Sequence, residues 1–247
     1  MDLGIEGKRA AVAGASAGLG FSTAKALIAA GVRVAICGRD DARLQRAVAE
    51  LGDAAVPIVA DMSTTDGALG FIAAATDALG GIDILVPNAG GPPLGDFAST
   101  PLETYGPALE LNLLSTVAMC QAAVPAMQAQ GWGRVAAITS VSVRQPIANL
   151  ILSNTARAGV TGFLKTLALE VAGDGVTVNS VQPGSHYTDR IRSFGVDPEQ
   201  AGAGIPTGVI GDPDDFGAVC AFLCSQQAKF ITGAAIPVDG GSFRGLQ

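Results

Sequence analysis

The chain has 247 residues, 49% of them hydrophobic and 15% charged, enough to bury one large core, and a single α/β domain spanning residues 1–247 is the expectation. Its formal net charge is −7 and its Lys and Arg residues are scattered, so it has no basic stripe for nucleic acid or for an anionic membrane. Residues 1–7 include Asp2 and Glu6 and no apolar centre, which is not a signal peptide, and no long uncharged apolar run is read as a membrane span; the expectation is a cytoplasmic protein.

Residues 9–12 form a short apolar run, and the small-residue octet Ala13-Gly14-Ala15-Ser16-Ala17-Gly18-Leu19-Gly20 follows it. Leu19, Thr23, Leu27 and Ile28 then recur at helical spacing. A strand, a glycine turn and a helix N-terminus suit a dinucleotide diphosphate, because missing side chains admit it and the amide-rich helix end favours its charge. A tight strand-to-helix turn is the alternative, and the octet favours the dinucleotide over it. Short β-rich runs at 32–37, 55–59, 82–86, 134–139, 176–181 and 234–238 continue the chain. Helical patterns at 41–51, 66–79, 102–130, 153–171 and 214–224 alternate with them. This alternation predicts a doubly wound, Rossmann-type parallel sheet of about seven strands with helices on both faces. Residues 90–101 and 185–211 read as long loops, the second as a substrate lid.

Cys37, Cys120, Cys220 and Cys224 lie in apolar patterns without a zinc-like spacing, and His186 is the only histidine, so no metal site is read. A Ser-His-Asp hydrolase would have to use that one histidine, and no G-x-S-x-G elbow is present to hold its serine. Arg39 stands nineteen residues beyond Gly20, at the end of the second strand, where such folds read the adenosine ribose. An arginine there pairs with a 2′-phosphate and a carboxylate would repel it, which selects NADP(H) over NAD(H) unless Arg39 is spent on Asp40 or Asp41. Ser16 can add a hydroxyl to the phosphate.

The spacing G-x-x-x-G-x-G in Gly14, Gly18 and Gly20 resembles the fingerprint of the short-chain dehydrogenase/reductase family. Pro87-Asn88-Ala89-Gly90 is similar to its Asn-Asn-Ala-Gly motif with the first Asn replaced. Asn112 falls where the family has a mid-helix Asn, and Pro183-Gly184 resembles its turn after the sixth strand. The resemblance covers essentially the whole chain. It implies that Asp61 and Met62 border the adenine, that Asn88, Ala89 and Gly90 meet the adenosine ribose, and that Ser140 hydrogen-bonds the substrate carbonyl. It also implies a homo-oligomer, tetramer or dimer, packed through the helices at 102–130 and 153–171.

One motif departs. Aligned on Ala158 to Phe163, the family's Tyr-x-x-x-Lys becomes Ser153-Asn154-Thr155-Ala156-Arg157, and neither of the two tyrosines, Tyr105 and Tyr187, has a lysine four residues on. Arg157 can take over the lysine's hydrogen bond to the nicotinamide ribose. A guanidinium that stays protonated and a serine hydroxyl do not replace a phenol whose ordinary pKa is about 10. Three readings follow: a carbonyl reductase with another proton route through Ser153, water or Tyr187; a reductase of an activated C=C or C=N bond; and a non-enzymatic NADP(H)-binding or scaffold protein. The catalytic candidates are Ser140, Ser153, Arg157 and Asn112, and the substrate loops favour a small or medium, largely apolar molecule.

Overall fold

The computed structural model describes residues 1–193 and 195–246. Its strands are β1 Arg9–Val12, β2 Arg33–Gly38, β3 Ala55–Val59, β4 Ile84–Val86, β5 Gly133–Ile138, β6 Val176–Pro183 and β7 Ala235–Val238. All pair in parallel, in the order β3-β2-β1-β4-β5-β6-β7. Parallel strands covered on both faces are apolar at nearly every position, and β1 shows why: Ala11 packs into one core and its neighbours Ala10 and Val12 into the other. Helices α1 Gly18–Ala29, α2 Asp41–Leu51 and α9 Pro213–Leu223 close one face. Helices α3 Thr65–Leu79, α5 Ser115–Ala129 and α6 Ile151–Val171 close the other.

The apolar pattern at 102–130 is one continuous rod only in outline. A 3₁₀ turn at Leu102–Thr104 leads into α4 Tyr105–Leu109, then a π-helical turn at Glu110–Leu114, then α5. The π turn inserts an extra residue per turn and carries Asn112, which is buried. The segment Leu102–Ala129, which carries Glu103 and Glu110, is long and apolar enough to cross a membrane by length and composition alone, with a mean hydropathy of 1.2. Half of that window is buried inside the protein, where Met119, Ala123 and Met127 belong to the core under α3 and α6.

Residues 185–211 are more ordered than a loop. They contain α7 Asp189–Ser193 and α8 Pro198–Ala203, the latter capped by Asp197, which accepts from Glu199 N, and Phe194 between them lies outside the described residues. An isolated bridge from His186 to Gly211 pins the two ends of the stretch together.

From β1 the chain winds outward to β3 and then returns across the sheet to β4, β5, β6 and β7. The connections after β1 and β4 therefore leave in opposite directions, and a crevice opens at the carboxyl ends of those strands, where ligands of open α/β sheets bind.

Candidate active site

A cavity of about 600 Å³ occupies that crevice, with Gly14, Gly18 and Leu19 on one wall and Ser140, Ser153 and Arg157 on the other. Asn88, Ala89 and Gly90 line it between them, and Pro183 and Gly184 complete it from the end of β6. The loop after β4 holds these parts in register through consecutive residues. Asn88 Nδ2 donates to the carbonyls of Ala13 and Gly14 at 3.2 and 3.1 Å. The carbonyl of Ala89 accepts from Arg157 Nη2 at 3.5 Å, and that of Gly90 accepts from Asn112 Nδ2 at 2.9 Å. Asn112 thus shapes the loop from behind and does not line the cavity; its Oδ1 is buried without a hydrogen-bond partner among the described residues.

The three glycines of the turn do different work. Gly14 and Gly18 have φ of 56° and 61°, a left-handed backbone that disfavours other residues, and both line the cavity. Gly20 is buried behind them, where a Cβ would fall 2.5 Å from the Gly14 carbonyl oxygen. This corrects its expected role: Gly20 lets α1 pack onto the turn and does not face a ligand. Across Gly14 and Gly18, a side-chain-free cradle at the start of α1 fits a dinucleotide diphosphate.

Ser140 closes β5 with extended backbone, and its Oγ accepts from Ser142 N at 3.0 Å, capping the 3₁₀ turn Val141–Val143. Ser153 and Arg157 sit one turn apart near the start of α6, so both point to the same side. Ser153 is 8% exposed, and its hydroxyl has no hydrogen-bond partner among the described residues. Arg157 is buried at 9% exposure and donates from Nη1 to the carbonyls of Ile138 and Thr139 at 3.2 and 3.1 Å. Burial, and secondarily the like charge of Arg190, bring its guanidinium down to about 10, still protonated at neutral pH. It ties the ends of β4 and β5 to α6.

The two ring-bearing residues His186 and Tyr187 sit in different surroundings. Tyr187 lines a separate groove of about 750 Å³ beside α1 and α2, with the Arg192 guanidinium 4.9 Å from its ring centroid. That placement suits a lid residue and leaves Tyr187 outside the residues that line the cavity. His186 does line the cavity, buried edge-on against Phe216 at 5.2 Å. Its burial pulls the imidazole below its ordinary value, against the opposing hydrogen bond to Gly184. With Nδ1 3.2 Å from the Gly184 carbonyl, the neutral ring must donate there, which leaves Nε2 as an acceptor.

At the adenosine end, a Cβ on Gly38 would fall 3.0 Å from Ser16 Oγ, so the serine hydroxyl lies against the end of β2 beside Arg39. Arg39 reaches Asp61 at 3.9 Å, not Asp40 or Asp41, and its side chain remains 75% exposed. Asp61 accepts from Ser63 N at 2.9 Å, while Thr64 caps α3. Met62 is 6% exposed and its side chain packs in the core under α3, so only its backbone could border an adenine. Sequence reasoning missed Arg43, four residues after Arg39 and in the first turn of α2, which lines both the cavity and the outer groove. Its Nη2 is 3.1 Å from Asp189 of α7, an ion pair from α2 to the lid that local spacing does not reveal.

Among the described residues no cluster of three or more His, Cys, Asp or Glu could hold a metal ion. The four cysteines are buried thiols pushed up to about 12 or beyond by burial, and do not ionise at neutral pH.

Residues 14–242 match the family model described as enoyl-(acyl carrier protein) reductase. The chain is 34% identical over 242 residues to the 3-oxoacyl-[acyl-carrier-protein] reductase FabG of Vibrio cholerae, covering 98% of this chain and 99% of that one. It is 33% identical over 251 residues to an L-rhamnose 1-dehydrogenase (NAD(P)(+)) of Azotobacter vinelandii, covering 97% and 98%. Among solved structures, L-sorbose reductase of Gluconobacter frateurii, complexed with NADPH and L-sorbose, superposes with a TM-score of 0.93 at 28% identity over the whole of both chains.

Proposed function

The chain belongs to the short-chain dehydrogenase/reductase family, and we propose that within it this protein is an NADP(H)-dependent oxidoreductase whose substrate takes its proton from water. The substrate is a small or medium, largely apolar molecule reduced at a conjugated C=C or C=N bond, or at a carbonyl. One observation carries this reading: the ionisable residues lining the cavity are Arg43, Arg157, His186, Asp189 and Arg190, with no phenol and no ammonium among them. Ser153 and Arg157 stand, on this reading, where relatives of the family carry their tyrosine and lysine.

Bound NADPH supplies the hydride. Gly14, Gly18 and the N-terminus of α1 would hold its diphosphate, and Arg39 with Ser16 its 2′-phosphate; the NADPH complex of the sorbose reductase supports that preference. The chain's own task is then the charge that the substrate acquires. A simple carbonyl becomes an alkoxide at once and needs an acid within reach. A conjugated acceptor spreads the charge into an enolate or enamide, which hydroxyl donors can stabilise until water protonates it. Ser140 and Ser153 offer such donors, and the buried cationic Arg157 behind them favours negative charge. These features favour the conjugated substrate over the simple carbonyl.

Leu114 and Leu169, 41% and 72% exposed on α5's preceding turn and on α6, support the homo-oligomer as part of the same proposal. A panel of enones, cyclic imines and saturated ketones, followed by NADPH oxidation, tests the activity. Turnover is expected with conjugated members first. NADPH binding without turnover of any member would instead make this a nucleotide-binding protein that is not an enzyme.

A further inference from the structure

Resting on that reading, we infer that the substrate carries a carboxylate close to its reducible bond and that Arg190 of α7 is the residue that selects it. Arg190 lines the same cavity as Ser140 and Ser153. Its guanidinium lies directly over Gly91 of the loop after β4, where a Cβ would fall 3.0 Å from Cζ, so the absent side chain leaves the lid arginine room to settle there.

The charges around it do not balance. No hydrogen bond, ion pair or ring contact engages the Arg190 guanidinium among the described residues. Its neighbours on α7 are spoken for: Asp189 takes Arg43 at 3.1 Å and Arg192 at 2.9 Å. Its charge bears on Arg157, which has the same sign and whose hydrogen bonds all go to backbone carbonyls. Two guanidiniums facing one cavity, neither with a carboxylate, make a site that an anion completes. Arginine meets a carboxylate with two parallel N–H donors, which fixes the orientation of the ligand as well as its charge. Leu94, Ile147, Leu150 and Ile191 line the rest of the cavity, with Leu94 61% and Ile147 42% exposed, so the remainder of the molecule is apolar. A conjugated 2-oxo acid with an apolar tail has all three features.

The probe is (3E)-2-oxo-4-phenylbut-3-enoate, compared with its methyl ester, by calorimetric titration of the NADP⁺ complex of the full chain. Wild type is expected to bind the acid at least about tenfold more tightly than the ester. Arg190→Gln is expected to erase that preference while leaving NADPH affinity, read from its fluorescence, within about twofold. Arg190→Lys is expected to keep part of the preference. Equal or undetectable binding of acid and ester by wild type would overturn the inference. So would a loss of NADPH affinity in Arg190→Gln as large as the loss for the acid, since the guanidinium would then serve the cofactor diphosphate. Failure of wild type to bind NADPH at all would overturn the proposed function beneath it, and is read separately.

Discussion

At the scale of single residues, Arg39 and Arg157 are both arginines assigned to the proposed cofactor, and their surroundings give them opposite jobs. Arg39 is 75% exposed and 3.9 Å from Asp61, so solvent screens the pair and the guanidinium can turn to a phosphate at little cost. Arg157 is buried on three backbone carbonyls, and removing it would strand them. The two substitutions therefore separate. Arg39→Asp is expected to weaken NADPH binding by roughly tenfold to a hundredfold, the value of a charge-assisted pair, without moving Tm. Arg157→Met is expected to lower stability by roughly 1 to 3 kcal/mol, because buried acceptors lose their donor. Thermal unfolding and NADPH titration on both variants check this. An Arg39→Asp variant with unaltered NADPH affinity would remove the phosphate assignment, and an Arg157→Met variant with wild-type Tm would remove the structural one.

At the scale of elements, the loop after β4 depends on where β1 and β4 are fixed, and one ion pair fixes their opposite ends. Arg9 of β1 donates from Nε to Asp83 at 2.8 Å, and from its backbone at 3.0 Å, just before β4 begins. Burial works to raise the Asp83 carboxyl, but the side-chain and backbone hydrogen bonds from Arg9 outweigh it and hold the group below its ordinary value. A carboxyl lowered in the folded state stabilises the fold fully above the unfolded value of about 3.9 and loses that contribution as pH falls through the folded value. Asp83→Asn is therefore expected to be less stable than wild type at pH 6, with the gap closing as pH drops below about 4. Urea midpoints measured across that range report it, and a gap that stayed constant would mean the ion pair is not what the pH dependence reads.

Elements were also where the sequence was most and least legible. The strands declare themselves because a parallel strand buried on both faces is an uninterrupted apolar run, as in Val34 to Cys37, and the glycine turn because the φ of Gly14 and Gly18 favours Gly. The π turn around Asn112 left no trace, since one extra residue in a helix does not disturb an apolar pattern enough to be seen. Helices α7 and α8 were invisible for another reason: each is a turn or two of sequence too short to show an apolar period, and α7 is held by a contact from far along the chain, Arg43 to Asp189. The site followed the same division. Ser140, Asn88 and Gly184 are legible because they end strands, whereas Arg43, His186 and Arg190 join the cavity through the lid, and Gly20 and Met62 turn inward for packing that spacing alone does not express.

At the scale of the whole molecule, the order of the strands decides where chemistry can occur, and the residues at that place decide which chemistry. The crevice between β1 and β4 is where ligands of open α/β sheets bind. What distinguishes this one is a cavity wall of two serines backed by an arginine, with a histidine whose free ring nitrogen accepts and does not donate. Proton delivery from water rather than from a side chain is the central claim, and the pH dependence of kcat tests it most directly. NADPH oxidation with a conjugated substrate, measured from pH 6.5 to 9.5 at saturating cofactor, is expected to be flat, because no lining group that ionises in that window transfers the proton. A kcat that falls as pH rises, with a single apparent pKa between about 7 and 9 that Ser153→Ala does not abolish, would place the proton on a side chain and contradict the account.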